Sequence, residues 1–302
     1  MTNTTESTAL RPAQGVWLPL ITPFRDGDLD IASLERLVRH YRRQPIDGMI
    51  LAATTGEGMT LDPDEVNRLV ETVTETLDGQ VPVYLGLSGS DTRKVAAAVG
   101  QSGRLRIDGY LVACPYYTRP GQDGLYRHFE AVGEVADRPV LIYNIPYRPG
   151  VNLANDTLLG LAELPNIAGL KDCCADMGQT FDLLCRRPAG FSVLTGEDAL
   201  YYGAIAHGAD GGILASAHIE TASFAHVRNC LLAGDQPAAL AAWRRLSFVP
   251  RLLFAEPSPS PIKYWLWRAG LIESPEVRLP MTEVSAGLAS RIDGEVERQK
   301  AA

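Results

Sequence analysis

The sequence predicts a (β/α)8 barrel over residues 12–234, followed by an α-helical extension over 235–302. Two observations carry that expectation. Eight short apolar runs alternate with eight amphipathic stretches of helical spacing. The runs are near-continuous in Val, Ile, Leu and Tyr, as parallel strands covered on both faces require. A third observation disfavours a doubly wound open sheet: the first run leads into TPFRDGDLD, with no GxGxxG turn. A chain of 302 residues suits one large barrel plus an extension.

The first run, GVWLPLITPF (15–24), precedes LDIASLERLVRHYRR, where Ile31, Leu34, Leu37 and Val38 recur at helical spacing. GMILAATTG (48–56) precedes LDPDEVNRLVETVTETL, with Asp62 as a cap and Pro63 at the first helical position. VPVYLGLSG (81–89) precedes SDTRKVAAAVGQSGRL, which Ser90 or Asp91 can cap. DGYLVACPYY (108–117) leads to GQDGLYRHFEAVGEVA. The last four runs are RPVLIYNIP (138–146), IAGLKDC (167–173), FSVLTGED (191–198) and GADGGILAS (208–216). They lead to ANDTLLGLAEL, QTFDLLCRR, DALYYGAIAHG and HIETASFAHVRNCLLAG in turn. Beyond residue 234 three helices follow without strands: QPAALAAWRRLSFVPRLLFAE, PIKYWLWRAGLI and TEVSAGLASRIDGEVERQ. The Pro-rich EPSPSPIK (256–263) reads as the loop between the first two.

Composition narrows the function classes. Lys and Arg total 28 against 36 Asp and Glu, a formal charge of −8. That balance disfavours a general nucleic-acid binder and leaves room for a local anion pocket. The five cysteines (Cys114, Cys173, Cys174, Cys185, Cys230) form no CxxC pair and read as reduced thiols. The five histidines show no HxH or HExxH spacing, so no metal is expected. MTNTTESTALR lacks the features of a secretory signal, and no run of 18 apolar residues occurs. The expectation is a soluble cytoplasmic protein with no nucleic-acid partner and no membrane span.

In such a barrel chemistry sits at the C-terminal ends of the strands. Lys171 ends the apolar run IAGL. It either projects a desolvated amine into the barrel mouth, where it can attack a carbonyl, or pairs with Asp172 in solvent. Tyr143 lies near the end of the preceding strand, as a proton shuttle or as core or rim packing. Thr54, Thr55 and Gly56 can hold a carboxylate or relay a proton, or form a simple capped turn. Arg148, in NIPYRPG, is a carboxylate clamp or a loop charge.

Taken with ATTGEGMTL (53–61), PYYTRPGQDGLYRHF (115–129), YNIPYRPGV (143–151), GLKDCC (169–174) and TGEDAL (195–200), these residues form an ordered set of motifs. The chain resembles the dihydrodipicolinate synthase / N-acetylneuraminate lyase family of class I aldolase-type barrels, from TPF (22–24) through RLPMT (278–282). The resemblance implies that Lys171 forms a Schiff base with pyruvate, with no other cofactor. It implies that Tyr143 moves the protons and that Thr54 links Tyr143 to Tyr117. The family counterpart of Tyr117 reaches into a neighbouring subunit's site, and the family forms tetramers built as dimers of dimers. Thr55, Ile213 and Gly196 would contact pyruvate or line the mouth. The pair Tyr117 and Arg148 resembles the synthases, in which the Arg holds the carboxylate of aspartate 4-semialdehyde and the product is 4-hydroxy-tetrahydrodipicolinate of the lysine pathway. The alternatives are a 2-keto acid or sugar-acid aldolase or dehydratase on the same scaffold, and a non-catalytic binding barrel.

Departures from the family pattern are Ala53 before TTGE, Tyr147 and Pro149 flanking the Arg, and SPSPIK (258–263) in place of NPxPVK. They bear on the aldehyde and not on the Schiff base. The lysine-inhibited synthases carry a histidine where Pro63 or Val66 stands and an acid where Lys94 stands. Weak or absent lysine inhibition is therefore expected.

Overall fold

The computed structural model describes residues 12–301. Eight parallel strands close into a barrel in chain order: β1 (Gly15–Pro19), β2 (Gly48–Leu51), β3 (Val83–Leu87), β4 (Gly109–Ala113), β5 (Val140–Asn144), β6 (Ile167–Asp172), β7 (Ser192–Thr195) and β8 (Gly211–Ile213). Trp17 of β1 aligns with both Ile213 of β8 and Gly48 of β2, which completes the ring. All eight expected runs contain these strands.

The near-continuous apolar runs resolve into two faces, because successive side chains of a strand point opposite ways. Trp17, Ile50, Tyr84, Leu111, Leu141, Leu194 and Ile213 fill the barrel interior. Their neighbours Val16, Leu18, Met49, Leu51, Leu85, Val112, Ile142 and Val193 meet the helices outside. Trp17 and Tyr84 meet edge to face inside the barrel, with centroids 4.9 Å apart.

The crossover helices are α1 (Ile31–Tyr41), α2 (Pro63–Leu77), α3 (Thr92–Ser102), α4 (Gln122–Val135), α5 (Asn155–Leu161), α6 (Met177–Arg186), α7 (Tyr201–Ala206) and α8 (Ala217–Leu232). Their starts follow local chemistry. Asp62 accepts from the Asp64 and Glu65 amides while Glu65 reaches back to the Asp62 amide, a complete capping box ahead of Pro63. Asp91, rather than Ser90, caps α3 by accepting from Arg93 N. The run HIETASFAHVRNCLLAG is not one straight helix, since Glu220 leaves helical geometry inside α8. There Thr221 Oγ1 donates back to Ala217 O, a bond that bends helices.

The extension has four helices where three are expected: α9 (Gln236–Leu246), α10 (Phe248–Leu253), α11 (Ser260–Arg268) and α12 (Ala286–Ala301). QPAALAAWRRLSFVPRLLFAE breaks between Leu246 and Phe248 because Pro250 has no amide for the Leu246 carbonyl and its ring crowds that group. α11 begins inside the Pro-rich stretch, because Pro261 in its first turn forfeits only an amide that has no intrahelical partner. The last helix starts at Ala286 instead of Thr282.

The extension returns to the barrel. Arg36 of α1 donates to Leu271 O and pairs with Glu273, whose amide meets Ser33 Oγ. Gly27 N donates to Glu276. No helix among the described residues is long and apolar enough to cross a membrane.

His218 ties the ends of β1 and β8 together. Its Nε2 accepts from Ile21 N at 3.2 Å, so its Nδ1 carries the proton and donates to Ala215 O at 2.8 Å. Burial pushes its pKa down to about 4, and that of buried His128 to about 4 as well. An unfolded histidine binds its proton near 6.5, so between pH 6.5 and 4 the unfolded chain holds more protons and stability falls as the pH drops. His218 alone should cost about 3 kcal/mol across that window. Melting curves between pH 7 and 4 check this: His218→Gln should be less stable at pH 7 and lose less on acidification than the parent protein.

Candidate active site

The site is built by strand register. Lys171 of β6 lies opposite Tyr143 of β5 and Leu194 of β7. It points inward, on the same face as Gly169 two residues earlier. Asp172 therefore points outward, where it accepts from Thr180 Oγ1 at 2.5 Å and Cys174 N at 3.0 Å. The solvent pairing of Lys171 with Asp172 is excluded. Lys171 is 5% exposed, with Nζ 4.1 Å from the Tyr143 ring centroid. Desolvation lowers its pKa below that of an ordinary lysine, and the Arg148 charge acts in the same direction. Burial holds the Tyr143 phenol and the Cys173 thiol beside it neutral, well above their ordinary pKa values.

Lys171 opens into a cleft at the C-terminal mouth of the barrel. Thr54, Thr55, Tyr143, Arg148, Gly196 and Ile213 all line it. Gly196 is required by contact: a Cβ there would run into Cys173 Sγ and Lys171 Cε. Thr54 shares the cleft with Tyr143, but no hydrogen bond joins their hydroxyls among the described residues. Tyr117 is not brought into the cleft. Its side chain is 91% exposed, and its backbone holds φ +70°. An aromatic residue in the left-handed region is strained, and neighbouring Arg119 at +48° shares that geometry.

Several groups in or beside the cleft have no role in the sequence reading. Asp198, 2% exposed, accepts from Ser216 N through Oδ2 and leaves Oδ1 without a partner. Glu197 Oε1 and the Ser216 and Ser258 hydroxyls are also buried and unpartnered. Burial raises the pKa of both carboxyl groups, and their mutual proximity adds to it for Glu197. Orphaned buried polar atoms are costly, and Asp198 and Ser258 bring two of them to the lining of the cleft. Glu197 and Asp198 follow β7 and are legible as strand-end acids. Phe254 and Ser258 come from the extension, and nothing in the chain's periodicity places them at the mouth. Tyr147, 62% exposed, flanks Arg148, whose guanidinium carbon is 5.7 Å from its ring centroid.

The cleft is therefore lined by a buried amine, a neutral phenol, a two-threonine turn, one arginine and the Asp198 carboxyl. The chain matches the dihydrodipicolinate synthetase family over residues 12–298. It is 43% identical over 280 residues to 4-hydroxy-tetrahydrodipicolinate synthase 2 of Clostridium acetobutylicum, covering 93% of this chain and 98% of that one. Among solved structures, dihydrodipicolinate synthase from Aquifex aeolicus superposes with a TM-score of 0.91 at 32% identity, covering 95% of this chain and 98% of that one. A monomeric dihydrodipicolinate synthase variant superposes at 0.92 with 30% identity, covering 95% of this chain and 97% of that one. The chain belongs to the dihydrodipicolinate synthetase family of enzymes.

Proposed function

We propose that the protein is a 4-hydroxy-tetrahydrodipicolinate synthase, condensing pyruvate with aspartate 4-semialdehyde through a Schiff base at Lys171. The observation that carries the reading is the buried, inward-facing amine of Lys171 against Tyr143, inside a cleft that also holds Arg148 and Asp198.

Desolvation favours the uncharged amine, which is the nucleophilic form. It adds to the keto carbon of pyruvate. The neutral Tyr143 phenol gives a proton to the departing hydroxyl, and water and an iminium result. The iminium withdraws electrons from the adjacent methyl group, so the phenolate left on Tyr143 takes a methyl proton and an enamine results. The enamine carbon then attacks the aldehyde carbon of the second substrate, whose oxygen takes the proton back from Tyr143, and attack of that substrate's own amine on the regenerated iminium closes the ring and frees Lys171. Thr55 and its turn hold the pyruvate carboxylate. Arg148 takes the carboxylate of the aldehyde, and the Asp198 carboxyl in the cleft and the adjacent Glu197 suit its ammonium group. A simple sugar acid offers no cation to those acids. The covalent adduct leaves no role for a separate organic cofactor.

Assembly belongs to the same proposal. An exposed, strained Tyr117 has no function within one chain, whereas in a dimer it would complete the neighbour's relay through Thr54. The proposed state is a homotetramer built as a dimer of dimers, located in the cytoplasm.

A coupled assay with pyruvate and aspartate 4-semialdehyde tests the reaction. Turnover on the order of 1–10³ per second is expected. Borohydride treatment with pyruvate should add one reduced pyruvate to Lys171 and none to Lys171→Ala. The trapping rate should rise with pH and level off below the ordinary lysine pKa near 10.4, because the free amine is the reacting form. An adduct without turnover would move the assignment to a 2-keto acid or sugar-acid aldolase. Tyr117→Phe should lower turnover tenfold or more while leaving the melting temperature and the Lys171 adduct in place. Unchanged turnover would remove Tyr117 from the relay.

Lysine should inhibit weakly or not at all. Lys94 is exposed at the start of α3 and would repel the lysine ammonium groups. Steady-state rates at millimolar lysine check this directly.

A further inference from the structure

The turn after β2 carries Thr54 and Thr55, and its backbone is strained. Ala52 and Glu57, neither a glycine, hold φ +53° and +52° at its two ends. Such geometry persists only where surrounding contacts over-determine it. Gly58 packs so tightly that a Cβ there would overlap the Ala52 carbonyl. Glu57 N donates to Thr54 O, Gly58 N to Ala53 O, and Thr22 Oγ1 to Gly56 O at 2.6 Å.

The outer end of the turn is pinned from the extension. Lys263 of α11, 0% exposed, sets Nζ 2.5 Å from Glu57 Oε1 and donates to Glu276 O at 2.7 Å. Glu57, 4% exposed, accepts from Arg278 N through Oε2 at 2.9 Å. Arg278 donates to Thr60 O and Gly27 O and grips Glu65. Phe24 is flanked by both cations, at 4.1 Å from Lys263 Nζ and 4.2 Å from the Arg278 guanidinium carbon.

We propose that Lys263 is a positioning residue for pyruvate binding: through Glu57 it holds the strained Thr54–Thr55 turn in its carboxylate-binding shape. Lys263 itself does not line the cleft that holds Lys171. Its effect travels through a single carboxylate that is three residues from Thr54 and two from Thr55. A buried ion pair is a poor source of net stability, since desolvation offsets the attraction. Holding a strained turn gives this pair a function that a well-packed apolar pair would not supply.

The inference rests on pyruvate being the substrate, so the wild-type Lys171 adduct is measured first. Its absence would sink the substrate reading before any variant is compared. Three variants then follow: Lys263→Met, Glu57→Gln/Lys263→Met, and Thr22→Val. Each is read for melting temperature and for the pyruvate concentration that half-saturates borohydride trapping. Lys263→Met leaves the Glu57 charge buried and unpaired, and should both melt lower and need about tenfold more pyruvate. The double variant removes that charge. It should recover most of the melting temperature yet keep the raised half-saturation, a separation that a purely structural pair would not produce. Thr22→Val loosens the Gly56 latch without touching the ion pair and should also raise half-saturation. Wild-type half-saturation in the folded double variant, or in Thr22→Val, overturns the proposal.

Discussion

Closing eight parallel strands into a ring divides every strand into residues that must fill one interior and residues that must meet the helices. That constraint decides where Lys171 goes. The interior is packed with Trp17, Tyr84, Leu111, Leu141 and Leu194, and no charged residue of the strands shares that layer with Lys171. A cation there gives up water, the pull of Asp198 and Glu197 only partly offsets that loss, and it releases its proton more readily. The same packing that stabilises the barrel therefore prepares the amine for attack on a carbonyl. Register supplies the second component, since a parallel neighbour in phase with Lys171 brings Tyr143 against it.

The rim is governed by different physics. Its loops carry backbone strain, unpartnered acids and hydroxyls, and an exposed aromatic residue in the left-handed region. None of these features favours the isolated folded chain. Under the proposed function, substrate polar groups would meet Asp198 and Ser258, and a neighbouring subunit would meet Tyr117. The extension supplies part of the restraint by sending Lys263 and Arg278 onto Glu57 and by bringing Phe254 and Ser258 to the cleft. The helices beyond the eighth strand thus serve the site as well as the barrel.

Much of this was legible in the chain, because strands and caps are local events. The eight apolar runs, the Asp62–Pro63–Glu65 helix start and the position of Lys171 at the end of a run all follow from neighbouring residues. Pro250 and Pro261 also act locally. One divides a helix that apolar periodicity alone would continue, and the other opens a helix inside a stretch that its composition marks as loop.

By itself the sequence determined the number and order of the strands, the ends of most helices, and the residue types available at the mouth. It could do so because periodicity, capping and proline geometry act over a few residues. Only the tertiary structure decided that Asp172 turns away from Lys171, that Ser258 borders the cleft, and that Glu57 answers to Lys263 across more than two hundred residues. Those outcomes depend on closure, register and the return path of the extension. They join residues whose separation along the chain carries no signal of their contact.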